Sequence, residues 1–146
     1  MEIKKIIVPV DFGNTTKKLA EFALYIATQL SAEIGFCHVV EPFLMGDMML
    51  GSPSLGDFEK QIRINAEERM ANLIEDSEGK GLTCRGKVLF GDTVEEIIAY
   101  AREQSAGMVI IGTHGAKGLE KILLGSVAER VVKRSDCPCL VMNPYK

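Results

Sequence analysis

"GMVIIGTHGAKGLEKILLGSVAER", residues 107–130, decides how this chain folds. Its first six residues, 107–112, are apolar on both faces, the pattern of a short strand covered on both sides of a parallel sheet. The run stops at Gly112, and glycines recur at Gly115, Gly118 and Gly125. Ser126-Val127-Ala128-Glu129 then has the form of a capping box, which predicts a helix from there to about Arg134.

Strand and helix signals alternate in the same way along the rest of the chain. "IKKIIVPV" (3–10) is the first strand, and Asn14 or Thr15 offers an N-cap to a helix with Leu19, Phe22, Ala23, Ile26 and Leu30 along one stripe. "EIGFCHVV" (33–40) is the second strand, followed by a long loop, 41–54, rich in methionine. A helix from about Leu55 to Glu78 places Phe58, Ile62, Ala66, Met70 and Leu73 or Ile74 on one face, and Gly79 and Gly81 end it. "LTCRGKVLF" (82–90) is the third strand. Asp92, with Glu95 three residues on, opens a helix through about Gln104. "CPCLVMN" (137–143) is the last strand.

Strict alternation of strands and helices predicts an α/β fold: a single doubly wound, Rossmann-like five-stranded parallel sheet, order 3-2-1-4-5, with helices on both faces. With 146 residues and neither repeat nor linker, one domain over 1–146 is expected. A net charge of −3 argues against a general nucleic-acid or membrane-surface binder. The charge is uneven, because residues 107–146 carry six Lys/Arg against three Asp/Glu, which leaves −6 on the remainder. The glycine segment is the basic part of an acidic chain. The four cysteines, Cys37, Cys84, Cys137 and Cys139, show no zinc-site spacing. They read as packed thiols, with Cys137 and Cys139 both in the last strand. The opening residues hold too short an apolar run for a signal peptide and nothing approaches a membrane span, which predicts a cytoplasmic protein.

Gly112 falls at the carboxyl end of the fourth strand, where open α/β sheets bind ligands. Gly125-Ser126 opens the next helix, whose N-terminus carries unpaired N–H groups and roughly half a positive charge. Glycines let the backbone approach an anion closely, so the segment has the makings of a phosphate cradle. The same residues also serve as ordinary turn punctuation, with Ser126 as no more than an N-cap. GxxxxGK[ST] and GxGxxG are both absent; the spacing present is Gly112-x2-Gly115-x9-Gly125-Ser126. Asp11, at the end of the first strand, lies on the same rim in this strand order. A carboxylate there accepts ribose hydroxyls, or else satisfies the turn that follows it. Lys117 and Lys121 screen phosphate charge or simply serve solubility. His38 reads as a packed strand residue.

"IIVPVDF" together with this glycine spacing resembles the ATP-binding branch of the universal stress protein family, and the likeness extends over the whole chain. In such proteins the first-strand Asp holds the ribose, and main-chain groups beside it and at the end of the second strand meet adenine. The resemblance therefore implies roles for Pro9, Val10 and Asp11, and for Val39 and Val40. The glycine motif holds the phosphates, implicating Gly112, His114, Gly115, Gly125, Ser126 and Val127. It also implies ATP as ligand, with Mg²⁺ or Mn²⁺, and a homodimer. Gly13-Asn14 departs from the family, which commonly has Ser after the Asp-Phe pair.

The last strand, Cys137 to Met142, is an apolar sheet edge, which a second copy would cover. No catalytic base or Walker-type Asp accompanies the glycines, so the expectation is a regulatory module that binds ATP with little or slow hydrolysis. A dimeric scaffold that binds no nucleotide and a slow ATPase or autophosphorylating protein are the alternatives.

Overall fold

The computed structural model describes residues 1–42, 55–113 and 124–146. The strands are β1 (Lys5–Pro9), β2 (Glu33–Val40), β3 (Cys84–Phe90), β4 (Met108–Gly112) and β5 (Cys139–Met142). Between them run helices α1 (Thr16–Leu30), α2 (Leu55–Glu78), α3 (Thr93–Glu103) and α4 (Ser126–Arg134). The strands form one five-stranded, all-parallel sheet in the order β3-β2-β1-β4-β5, as the alternation predicts.

Each face of the sheet carries its own core, and the period-two side-chain alternation of the strands divides residues between them. Ile6, Val8 and Val10 of the first strand segment, with Ile34, Phe36 and Ile110, pack against Leu19, Ala20, Ala23, Leu24 and Ala27 of α1 and Ala66 and Met70 of α2. On the other face Ile7, Cys37, Leu89, Val109 and Ile111 meet Val94, Ile97 and Ile98 of α3 and Ala128 and Val131 of α4. The approach of α2 is close enough that a Cβ added at Gly86 would run into Met70 and Ile74.

Two helix stripes are shorter than their periodicity suggests. Leu30 is 42% exposed, because it ends α1 where the chain turns back through Ser31 at φ 53°. Phe58 is 44% exposed, and Ala66 is the first buried residue among the described side chains of α2. Strand β5 begins at Cys139, not Cys137: Pro138, which lacks an N–H, precedes it, and Cys137 belongs to the turn, its N–H and C=O both bonded to the Ser135 hydroxyl. The methionines of the long loop lie in 43–54, outside the described residues.

Candidate functional site

Chain connections run outward from β1 in both directions, through β2 to β3 on one side and through β4 to β5 on the other. The boundary between β1 and β4 is thus the switch point of the sheet, the place where open α/β sheets form a ligand crevice at the carboxyl end of their strands. Pro9 helps to open it. The β1–β2 ladder continues through Pro9↔Cys37, whereas the β1–β4 ladder holds Ile6↔Met108 and Ile7↔Val109 and then stops. Val10 donates to Cys37 on the β2 side, so the preceding residue faces β4, and a proline there has no N–H to offer.

Asp11 stands on this rim, half-buried. Its Oδ1 accepts the Gly13 N–H at 2.8 Å and the Thr16 hydroxyl at 3.3 Å. One carboxylate oxygen therefore closes the turn into α1, the local role that an Asp in this place also fits. Among the described residues Oδ2 accepts no hydrogen bond. Between Asp11 and Gly13, Phe12 has a left-handed backbone, φ 59°.

Opposite Asp11 the two halves of the glycine motif come together. Thr113, directly after Gly112, donates its N–H to Met142 of β5 at 2.9 Å and accepts the Gly125 N–H on its carbonyl at 2.7 Å. The exit of β4 is thereby stapled to the entrance of α4. Gly125, not Ser126, is the N-cap of α4, and no side chain caps this helix. The expected capping box does not form, because the helix starts one residue earlier: the Gly125 carbonyl accepts the Glu129 N–H, and the Glu129 carboxylate pairs with Lys133 at 2.7 Å. Ser126 is consequently an exposed first-turn residue, and its N–H, with those of Val127 and Ala128, belongs to the turn that has no intrahelical acceptor. His114, Gly115, Gly118, Lys117 and Lys121 lie outside the described residues.

The end of β2 forms the third side. Cys37 presents its carbonyl to β1, so Val39, two residues on, turns its main-chain groups the same way, past the end of β1. Val40 instead accepts the Gly91 N–H, and Glu41 reaches across to the Thr93 hydroxyl at 2.5 Å, fixing the end of β2 against the start of α3. Of the expected site residues, the fold thus gathers Pro9, Val10, Asp11, Gly112, Gly125, Ser126 and Val127 around the crevice, with Val39 beside it. Val40 faces β3.

Three residues here carry no motif of their own. Thr16 holds Asp11, Thr113 closes the glycine loop, and His38 bonds the Val10 carbonyl through Nδ1 at 2.8 Å while its ring packs on Phe12 at 4.5 Å. Because a carbonyl only accepts, Nδ1 carries the proton. Among the described residues no three His, Cys, Asp or Glu gather to hold a metal ion. No helix among the described residues is long and apolar enough to cross a membrane.

The model of the Universal stress protein family matches residues 2–143. Universal stress protein MJ0531 of Methanocaldococcus jannaschii is 34% identical over 148 residues, spanning 98% of this chain and 84% of that protein. The solved structure of protein MJ0577, from the same organism, matches with a TM-score of 0.85 at 27% identity, over 98% of this chain and 97% of that one. The Archaeoglobus fulgidus universal stress protein solved in complex with dAMP shares the fold, with a TM-score of 0.67 at 20% identity over 97% and 98% of the two chains. The match runs from the first strand to the last, and the chain belongs to the universal stress protein family.

Proposed function

We propose that this protein binds ATP, accompanied by Mg²⁺ or Mn²⁺, in the crevice between β1 and β4, as a regulatory module of one domain over residues 1–146. The observation that carries this reading is the Thr113–Gly125 hydrogen bond, which sets the first turn of α4 across the rim from Asp11. Phosphates would lie against the Ser126 and Val127 N–H groups, where the helix end favours negative charge. The ribose would meet Asp11, and adenine the main chain of Val10 and Val39. The dAMP complex of the Archaeoglobus fulgidus protein supports an adenine nucleotide as a chemistry this fold accommodates.

Binding with little or slow hydrolysis fits the groups present. Asp11 is engaged with the turn and suited to ribose, and among the described residues no three His, Cys, Asp or Glu gather to hold a metal against a γ-phosphate. A second copy of the chain is proposed to pair along β5, which is a sheet edge with Val141 37% exposed.

Calorimetric titration of ATP with Mg²⁺ into nucleotide-stripped protein tests the reading. Micromolar binding, about −8 kcal/mol, is expected. Absence of heat, together with failure to displace a fluorescent ATP analogue, would remove nucleotide binding and leave a dimeric scaffold. Steady release of ADP would make the protein a slow ATPase.

A further inference from the structure

We infer that His38 is a positioning residue of the nucleotide crevice, acting through the Val10 carbonyl and the Phe12 ring to hold Asp11. The inference rests on the ATP-binding reading for its ligand, but the geometry behind it does not.

The argument begins with the ladder. Val10 N–H donates to the Cys37 carbonyl at 2.8 Å, the bond expected where parallel pairing continues one residue past Pro9↔Cys37. In a ladder prolonged by one more bond, the Val10 carbonyl would accept the Val39 N–H. The His38 Nδ1–H occupies that carbonyl instead, at 2.8 Å. A side chain thus ends the ladder, and the backbone of β1 is released into the Asp11 turn.

The turn so released is strained. Phe12, a bulky residue, sits at φ 59°, a region that costs non-glycine residues roughly 1–3 kcal/mol and persists only where its surroundings hold it. Packing against the α1-face core, the ring of His38, tilted by 40° against Phe12, and the Asp11 Oδ1 bonds to Gly13 and Thr16 together hold it. His38 therefore grips both sides of Asp11, by hydrogen bond at residue 10 and by packing at residue 12. Removing the grip frees the turn to relax, and the carboxylate moves with it.

Two substitutions separate the bond from the packing. His38→Asn places its amide Nδ2 where the imidazole Nδ1 stands and keeps the donor. His38→Phe keeps a ring against Phe12 and deletes the donor. Binding of ATP and of 2′,3′-dideoxy-ATP is measured by calorimetry for both variants, beside amide hydrogen exchange at Gly13 in the nucleotide-free proteins. H38F is expected to lose about tenfold in ATP affinity, the order of one well-placed hydrogen bond, with little change for the dideoxy nucleotide, which offers Asp11 no hydroxyls. H38N, which keeps the bond and loses the ring packed on Phe12, should lose less than H38F for ATP and little for the dideoxy nucleotide, and Gly13 exchange should accelerate about tenfold in H38F and by less in H38N. Equal losses for the two nucleotides, or no loss at all, would overturn the inference. Should the wild-type protein bind neither nucleotide, the functional reading falls, and the exchange rate at Gly13 still decides the role of His38: faster in H38F supports it, unchanged refutes it.

Discussion

The Thr113 carbonyl accepts the Gly125 N–H at 2.7 Å, so two residues twelve positions apart in the chain meet at the rim of the sheet. A helix normally begins where a side chain caps its first turn. Helix α4 begins where the main chain is tied back to the strand it follows. The first-turn N–H groups of α4 are aimed by that tie, which makes backbone geometry the organiser of the glycine rim.

Gly125→Pro removes this donor while keeping the local backbone, since Gly125 already has φ −58°, within the range that proline imposes. The variant is expected to lose about 1 kcal/mol of unfolding free energy, the net worth of one main-chain hydrogen bond. Its ATP affinity should fall as well. Urea unfolding and calorimetry read the two quantities, and a variant equal to wild type in both would show that the Thr113–Gly125 tie does not organise the rim.

Asp11 and Thr16 share a hydrogen bond but not a function. Thr16→Val removes the hydroxyl from Asp11 Oδ1 at a position only 9% exposed. It is expected to cost about 1 kcal/mol of stability and to lower ATP affinity by less than loss of the carboxylate itself does. Asp11→Ala loses the turn bond and the ribose acceptor together, and hydrogen bonds to a charged group are worth about 1.5–3 kcal/mol. Its ATP affinity should therefore fall by about tenfold or more. Equal affinities for the two variants would place Asp11 in the turn alone.

The reach of sequence reasoning differed between the scaffold and the site. A parallel sheet covered on both faces follows from strict alternation of strands and helices and from apolar runs such as Met108–Gly112, which burial on both sides requires. The Asp92 cap was legible for a similar reason: its side chain accepts the Glu95 N–H at 3.0 Å, a purely local contact. Ser126-Val127-Ala128-Glu129 has the same local form, yet a contact with distant Thr113 moves the helix start to Gly125 and leaves the capping pattern unused. His38 lies in the strand that its sequence context predicts, but its bond to Val10 spans 28 positions, and no spacing rule announces it. Leu30 and Phe58 show the complementary error, because periodicity marks a face without saying how far the sheet beneath it extends.

Two buried thiols give the fold an alkaline limit. Burial pushes Cys37 from 9.0 up to about 12, and burial with nearby Glu78 pushes Cys84 up to about 11. A thiol whose folded pKa lies above its unfolded value must be neutral in the folded state. Its contribution is therefore fully present below pH 9.0 and is lost as pH rises from there toward the folded value. Stability should decline through this window by up to about 1.4 kcal/mol per pH unit for each thiol. Urea midpoints measured from pH 8 to 11 should fall more shallowly in Cys37→Ala than in wild type. Parallel curves would mean that another group sets the alkaline limit.

The edge strand supplies the last expectation. β5 pairs with β4 through Val109↔Cys139 to Gly112↔Met142, and no strand among the described residues lies on its other side. Val141 is 37% exposed on that edge, and Val132 on neighbouring α4 is 41% exposed. An apolar edge of this kind invites pairing, and a lysine on it opposes a second strand by charge and by hydration. Val141→Lys is expected to shift the protein from dimer to monomer in light scattering at micromolar concentration. The proposed nucleotide crevice is built from one chain, so the monomeric variant should retain ATP affinity within about threefold, a difference of less than about 1 kcal/mol. A dimer that survives V141K would move the interface elsewhere. Loss of ATP binding along with the dimer would mean that pairing at β5 also shapes the rim, through the Thr113 N–H bond to Met142.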